Sequence, residues 1–408
     1  MRLARVVSTY DQCNPILSPL VETADLDVLQ LDYVWPQVCP AGPSYAPGLL
    51  RQLRSLHKTL YLDPKLHLLT NAGGSDPRGC VEAVAEYLCE HGDAKLPLTA
   101  IRGDNVLPSW EELTEELKAA DVELRDIATG KSPGELTQPL LAAQVELGAG
   151  PLSAALAEGS RFVVAGCYDL SAPAIATAVI ALDWSWEQVD DLARLAVAAH
   201  LPQTLIDIDP VSGLTVQATS GEIIDPQEML SKILLAASDD GVIRQADVSC
   251  QIGPFDLQQK SPGLFCVCGV TGHSTADEWM VRLTYQTGYC AEGLLSCPDT
   301  ETGKRAADRL HQLLDVENDE RRTVKIDRLS LADSAASRLV LVRCQSSERE
   351  PCVEFVNALT SFPAQSKLHD CRFHCSPSWQ PEITQLRCPL SRDAIAVSVD
   401  TRPAKEWR

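Results

Sequence analysis

The chain has 408 residues, of which 45% are hydrophobic and 22% are charged, a composition typical of globular proteins rather than disordered ones. Acidic residues number 56 against 35 basic ones, and the resulting formal net charge of −21 argues against nucleic acids and anionic membrane surfaces as partners. An anionic substrate would therefore need a locally positive pocket inside this negative field.

Two features bear on the cellular compartment. The first ten residues lack the long apolar segment of a secretory signal, and no run approaches the 18 apolar residues that a membrane helix needs. The 15 cysteines are odd in number and lie in a large chain, which does not indicate a disulfide framework. We predict a cytoplasmic protein without a membrane partner.

The first half of the sequence alternates strand-like and helix-like segments. Helix-like patterns run from Pro77 to His91, over SWEELTEELKAADV and over GPLSAALAEG. In chain order, five strand-like segments lie in LARVVSTYD, LDVLQLDYV, KTLYLDPKLHLLTN, LPLTAIRGDNVLP and RFVVAGCYDLSAP. Such alternation predicts β-α-β units, and continuous apolar strands fit a sheet that is covered on both faces. The predicted fold class is α/β, with a mainly parallel, Rossmann-like three-layer domain over residues 1–211.

The second half changes character after residue 211. Strand-like segments such as GLFCVCGVTG, EWMVRLTYQTGY and SRLVLVRCQS are separated by helical patterns such as GKRAADRLHQLLDV. We predict an α+β domain over residues 212–408. For a chain of this size we also expect a symmetric homodimer, since two-fold dimers are the commonest oligomers.

Polar side chains follow the predicted strands of the first half. Asp32 ends the second strand, Asn71 the third, Arg102 and Asp104 the fourth, and Asp169 the fifth. Ligands of open parallel sheets bind beyond the carboxyl ends of the strands, so these residues are candidates for one crevice. The alternative is that the strand ends are polar only because loops contact water.

The turn after the third strand allows two interpretations. Gly73 and Gly74 permit positive φ and close approach of the backbone, and Asp76 with Pro77 predicts the start of a helix. The free N–H groups of that helix start could bind an anion, or the Asp76 carboxylate could already occupy them. The turn is therefore either a ligand cradle or a tight strand-to-helix corner.

Two further residues are candidates for substrate binding. Tyr168 precedes Asp169, and His200 ends a predicted helix, where the helix dipole favours a protonated imidazole. His200 could act as a base, or it could be a cap or packed residue. His273 lies in a glycine-containing segment and is a weaker candidate.

The sequence does not indicate a metal or cofactor. His369, Cys371, His374 and Cys375 are zinc-type ligands, but they fit no usual paired spacing, and Cys371, Phe373 and Cys375 alternate as packed residues of a strand do. Neither the glycine-rich dinucleotide fingerprint nor a P-loop is present. We predict no metal and no cofactor.

Several motifs carry a family resemblance. LDYVWPQ, LTNAGGSDPRGCVEAV, IRGDNVLP, GAGPLSAALAEGSRFVVAGCYDLS, LDWSWEQVDDLARLAVAAHL, DVSCQI and VCGVTGHSTADEWMVRLTYQTGY occur in this order. Together they resemble the acyclic terpene utilisation (AtuA-like) family, whose bacterial members accompany the breakdown of branched isoprenoid acyl-CoA compounds. The resemblance implies a cytoplasmic protein whose polar strand-end positions are Asp32, Asn71, Gly73, Gly74, Asp104 and Asp169.

The sequence departs from the family pattern in two places. The family usually has an arginine in a G-R-x-x-D motif, where this chain has Gly166, Cys167, Tyr168 and Asp169. A Cys- and Gly-rich segment that follows the family histidine is largely absent after His200. Loss of the arginine removes a clamp for a carboxylate or phosphate, which points to a changed substrate or to lost catalysis.

Two classes of function follow. The first is an enzyme of isoprenoid or secondary metabolism, a lyase, hydratase or cyclising isomerase, that acts on a small, largely apolar carboxylate, acyl or terpenoid-type substrate. Asp32, Asp104 and Asp169 would supply its acid–base chemistry. The alternative is a binding or scaffold protein that retains the fold without catalysis.

Overall fold

The fold is known from a computed structural model. It describes residues 1–35, 44–201, 203–209, 213–220, 225–238, 240–253, 255–275, 277–314, 321–329, 339–365, 371–374 and 376–408. The helices are α1 (Leu17–Thr23), α2 (Pro47–Leu62), α3 (Pro77–Glu90), α4 (Trp110–Ala119), α5 (Ala149–Ala157), α6 (Ala172–Ala181), α7 (Val189–Ala199), α8 (Pro226–Ala236), α9 (Thr300–Leu313) and α10 (Arg349–Gln365).

Strands make up much of the remaining chain. They are β1 (Arg2–Thr9), β2 (Val28–Val34), β3 (His67–Thr70), β4 (Pro97–Arg102), β5 (Leu140–Glu146), β6 (Phe162–Val164), β7 (Thr204–Asp209), β8 (Gly213–Ala218), β9 (Val242–Arg244), β10 (Val248–Gln251), β11 (Asp256–Ser261), β12 (Leu264–Cys268), β13 (Thr271–Ser274), β14 (Glu278–Ser296), β15 (Thr323–Leu329), β16 (Leu339–Ser346), β17 (Arg372–Phe373), β18 (Ser378–Ser391) and β19 (Ser398–Pro403).

The chain forms two compact units. Unit 1 consists of Met1–Pro133, Ala142–Arg282 and Arg387–Arg408, and unit 2 consists of Gly134–Leu141 and Leu283–Leu386. The predicted boundary between residues 211 and 212 lies inside the second segment of unit 1. The predicted two-domain division stays a prediction.

A ten-stranded mixed sheet organises unit 1. Its order is β11-β12-β8-β7-β1-β2-β3-β6-β4-β19. The five strands β1, β2, β3, β6 and β4 are mutually parallel, whereas β7, β8, β11, β12 and β19 join the edges antiparallel. The expectation that the first five predicted strands run parallel is confirmed, and so is a mixed α/β fold. The antiparallel edges leave the Rossmann-like detail as a prediction.

The sequence explains why the central strands are buried. In β2, every residue from Val28 to Tyr33 is buried, as expected for a strand covered on both faces. The neighbouring helices form two rows that contact the sheet, α1 to α3 in one and α5 to α7 in the other. The first row closes a core that includes Leu29, Leu53, Val84 and Phe162.

Helix α3 begins as its sequence predicts. Pro77 occupies the first turn, and the Asp76 Oδ1 atom accepts a hydrogen bond of 2.9 Å from the Gly79 N–H group. This cap fixes the exit of the chain from β3 and therefore the geometry of the turn between them.

Unit 2 is α+β. Strands β15, β16, β14 and β17 pair antiparallel in that order, and α9 and α10 pack on β16. Phe355, Phe362, Leu310 and Val342 are buried in its core. In the described part of the chain, no helix combines the length and the apolarity that crossing a membrane requires.

Candidate functional site

Three of the predicted strand-end residues, Asp32, Asp104 and Asp169, meet around one segment of unit 1, residues 166–169. This segment leaves β6, which lies between β3 and β4 in the sheet. The Gly166 Cα atom lies against the Asp104 carboxyl group, since a Cβ at this position would collide with Asp104 Oδ2. The Tyr168 hydroxyl group donates a hydrogen bond of 2.8 Å to Asp32 Oδ1. Segment 166–169 therefore brings Asp32, Asp104 and Asp169 to the same edge of the sheet.

Asp32 is held in a buried ion pair. Its Oδ2 atom accepts hydrogen bonds from Arg5 Nε at 2.7 Å and from Gln30 Nε2 at 3.0 Å, while Oδ1 accepts the Tyr168 hydroxyl group. Arg5 and Asp32 are both about 5% exposed, and Arg5 also donates to the Ala199 carbonyl oxygen. Three donors satisfy this carboxylate, so the geometry suits it to positioning Tyr168 better than to transferring protons. Burial and the Asp32 charge raise the pKa of Tyr168 well above its ordinary value.

Asp104 is the least satisfied carboxyl group of the site. Its side chain is buried, and Oδ2 has no hydrogen-bond donor among the described residues. Burial raises the pKa of Asp104 to about 7, although backbone N–H groups, including those of Cys167 and Asn105, offset part of the rise. A carboxyl group with this pKa can both donate and accept a proton near neutral pH.

Asp169 lies in a more polar environment. Its Oδ1 atom accepts bonds from the Ser171 N–H and hydroxyl groups, at 2.9 and 2.6 Å, and Oδ2 accepts the Ala246 N–H group at 3.2 Å. Burial raises the pKa of Asp169, the bonds from Ser171 lower it, and the nearby Glu146 charge adds to the rise. Asp104 and Asp169 are thus two buried carboxyl groups with different surroundings, the pattern that separates acid and base roles.

The turn after β3 is a strand-to-helix corner. The Gly73 N–H group donates to the Ala165 carbonyl oxygen at 3.0 Å, and the Gly74 N–H group donates to the Asn71 carbonyl oxygen at 3.3 Å. The Asn71 side chain bonds both the N–H and the carbonyl group of Tyr33, at 2.6 and 3.1 Å. These internal hydrogen bonds favour the corner over the ligand cradle, and the assignment of Asn71, Gly73 and Gly74 to substrate binding stays a prediction.

Gly74 is required at that corner. Its φ is +54°, and a Cβ would collide with the Trp35 ring and with the Ser44 carbonyl oxygen.

Three further candidates are Arg102, His273 and His200. Arg102 ends β4 with an exposed side chain. His273 lies on β13, also exposed. His200 caps the end of α7 and contacts Gln245, but burial and the charges of Arg5 and Arg387 lower its pKa to about 4. Desolvation and the two nearby cations therefore outweigh the helix dipole that favours a protonated imidazole, and the assignment of His200 to substrate binding stays a prediction.

Two buried acidic residues, Glu146 and Asp247, were not among the site residues predicted from the sequence. Glu146, the last residue of β5, bonds the guanidinium groups of Arg282 and Arg387, the latter at 2.6 Å. Burial raises the pKa of Asp247 to about 6, although its Oδ2 atom accepts the Ala149 N–H group at 2.7 Å. The DVSCQI motif had marked Asp247 as part of the resemblance, but no local pattern connects Glu146 with either arginine.

Two cavities of the structure are not lined by the predicted site residues, and the candidate metal cluster is only partly described. A cavity of about 760 Å³ lies beside α3 and the residues after β19, and one of about 350 Å³ lies in unit 2; neither is lined by the predicted site residues. Among the described residues no group of three or more His, Cys, Asp and Glu side chains could hold a metal ion. Of the four zinc-type ligands considered in the sequence, His369 and Cys375 lie outside the described residues. Cys371 is buried, and its Sγ atom lies 3.4 Å from Cys297 Sγ.

Comparison with known proteins gives one family. A family model described as "Acyclic terpene utilisation family protein AtuA" matches residues 12–203. This region contains Asp32, Asp104 and Asp169, but not Arg282 and Arg387. No significant match was found among curated proteins or among solved structures.

Proposed function

We propose that the chain acts on an acyclic terpenoid carboxylate or on its acyl derivative by acid–base chemistry, because residues 12–203 match the model of the acyclic terpene utilisation (AtuA) family. The reaction class is that of a lyase, hydratase or cyclising isomerase, all of which need proton transfer at carbon or oxygen. The family name supports the substrate class, and the chemistry of the carboxyl groups supports the reaction class.

Asp104 carries this proposal. Asp104 is buried, its pKa is about 7, and its Oδ2 atom has no donor in the described structure. Such a group destabilises the folded state, and groups with strongly shifted pKa values are concentrated at functional sites. In the proposed site, protonated Asp104 donates to the substrate and takes a proton back in a later step. Asp169 is the second carboxyl group, oriented by Ser171, and Asp32 orients Tyr168.

The finer description of the fold belongs to the same proposal. In a Rossmann-like three-layer arrangement, the ligand binds beyond the carboxyl ends of the parallel strands, where segment 166–169 lies. A homodimer is proposed as the assembly, and light scattering at micromolar concentration tests it directly.

A non-catalytic binding or scaffold role is the second candidate. It is favoured by the internal hydrogen bonds of Asp32 and Asn71, whose acceptor atoms already have donors within the chain. In that case the family fold would persist for binding alone, and loss of the G-R-x-x-D arginine at Cys167 would mark the loss of turnover.

The experiment compares turnover by matched variants. The full chain is incubated with acyclic terpenoid acids and their CoA thioesters, with straight-chain saturated thioesters as controls, and products are followed by mass spectrometry for gain of water, isomerisation or cleavage. Asp104→Asn should lower turnover by about 10²–10⁴-fold, the range for an acid–base group, whereas the exposed Asp11→Asn should not.

Two outcomes contradict the enzymatic proposal. Full activity of Asp104→Asn would remove Asp104 from the chemistry. Binding of terpenoid compounds without turnover of any of them would favour the scaffold role.

A further inference from the structure

Two arginines share one buried carboxylate in unit 1. The Glu146 side chain is 7% exposed, whereas Arg282 and Arg387 are 36% and 41% exposed. Burial alone would raise the pKa of Glu146, but the two guanidinium groups lower it on balance, so Glu146 is ionised at neutral pH. Two guanidinium groups therefore share one carboxylate.

A thiol and two carboxyl groups lie close to this cluster, and the charge of Asp169 acts on Arg282. Burial raises the pKa of Cys167 to about 12, and its thiol is therefore neutral although Arg282 lies close enough to act on it. Asp104 and Asp169 also act on Cys167, and burial raises the pKa of both carboxyl groups. The chain as a whole is strongly acidic, so two arginines that share one carboxylate are unusual against that field.

The arginines also keep hydrogen-bond donors for a ligand. Each guanidinium group has five N–H donors. Within the described ranges, the side chains of Arg282 and Arg387 donate only to Glu146, and Arg387 Nε is buried without an acceptor. Part of each arginine side chain is exposed to solvent, and hence to a solute.

The two arginines lie close to the carboxyl groups of the candidate site. The Val145 N–H group donates to the Asp104 carbonyl oxygen at 2.7 Å, and the Asp169 N–H group donates to the Leu147 carbonyl oxygen at 2.9 Å. Glu146 lies between Val145 and Leu147, so it and its two arginines lie beside both carboxyl residues. On the other side, Arg387 is one of two cations that lower the pKa of His200. The two arginines therefore lie along the candidate site.

We propose that Arg282 and Arg387 form a binding site for a monoanionic carboxylate group, which anchors the substrate beside Asp104. This inference rests on the proposed function and names the charged group of its substrate. Paired guanidinium groups that share a single carboxylate suit bidentate recognition of a further carboxylate. A phosphate dianion would bring a second negative charge close to Asp104, Asp169 and Glu146, which disfavours it.

Equilibrium binding of octanoate to the full chain tests the site independently of turnover. Isothermal titration calorimetry compares octanoate with octan-1-ol, which lacks the charge, and with inorganic phosphate as competitor. Arg282→Gln and Arg387→Gln should each weaken octanoate binding by about 10- to 100-fold. Arg402→Gln removes an equal charge from a surface pair with Asp400 and should leave binding unchanged.

Two further variants separate binding from structural support. Glu146→Gln frees both guanidinium groups and should tighten octanoate binding by about 3- to 10-fold, although it breaks a buried ion pair. Arg387→Lys retains the charge without the planar fork, and its affinity should lie between those of the wild type and Arg387→Gln. It also serves as the test if Arg387→Gln fails to fold, as judged by circular dichroism.

The outcomes distinguish this inference from the proposed function. Octanoate binding that is equal in wild type, Arg282→Gln and Arg387→Lys would overturn the site, as would equal displacement by phosphate, or no binding up to about 10 mM octanoate. Turnover of terpenoid substrates without arginine-dependent binding would leave the proposed function standing alone. Arginine-dependent binding without turnover would support the site and contradict the enzyme.

Discussion

Replacement of Asp104 by asparagine should remove a large pH dependence from the stability of unit 1. Burial raises the pKa of Asp104 from an ordinary value of 3.8 to about 7. Between these pH values the unfolded chain loses the proton while the folded chain retains it. The stabilisation is therefore complete below pH 3.8, falls as the pH rises, and is lost above about pH 7. At 1.36 kcal/mol per pKa unit, a shift of about three units changes the free energy of unfolding by about 4 kcal/mol.

The assay is urea unfolding of wild type and Asp104→Asn between about pH 5 and pH 8, followed by circular dichroism. Hydrogen exchange of the β4 amides reports unit 1 separately from unit 2. Asp169 and Asp247 contribute to both proteins, so the difference between the two curves isolates residue 104. Asp11→Asn, at an exposed position, controls for the loss of a carboxyl group. Parallel curves for wild type and Asp104→Asn would refute the buried, protonated carboxyl group.

Two further predictions concern stability and can be read from thermal unfolding. Gly74→Ala should cost about 2–3 kcal/mol, because a positive φ and a collision with Trp35 act together, whereas Gly92→Ala, at φ +96° with open space around its Cβ, should cost about 1 kcal/mol; equal losses would contradict the collision. Arg5→Met should cost about 3–5 kcal/mol, because it leaves the Asp32 carboxylate buried without its cation, and a loss below about 1 kcal/mol would show that this ion pair is not formed.

The parallel strands were predictable because their signal is local. Apolar runs such as those of β1 and β2 identify buried strands, and the carboxyl ends of parallel strands must share one edge of the sheet. The placement of Asp32, Asp104 and Asp169 follows from that rule. The insertion of β6 between β3 and β4 does not, since strand order depends on packing between distant segments.

The partners of the site residues were not predictable in the same way. Glu146 lies 136 residues from Arg282 and 241 residues from Arg387 along the chain, and no periodicity links them. The corner at Gly73 shows the same limit, because its N–H group bonds a carbonyl oxygen that arrives with β6. Arg5 did carry a signal: a charged residue inside a buried apolar strand needs a partner, and Asp32 lies on the adjacent strand.

The antiparallel strand β19 has a consequence for the order of folding during synthesis. It covers the edge of β4, and the Trp407 indole N–H group bonds the Leu98 carbonyl oxygen, 309 residues earlier in the chain. A ribosome releases β4 long before β19, so nascent unit 1 keeps an open sheet edge while all of unit 2 is being made. Such an edge invites pairing with other chains. We therefore expect the yield of native protein to depend on how fast the final segment is translated and on chaperones that bind the open edge.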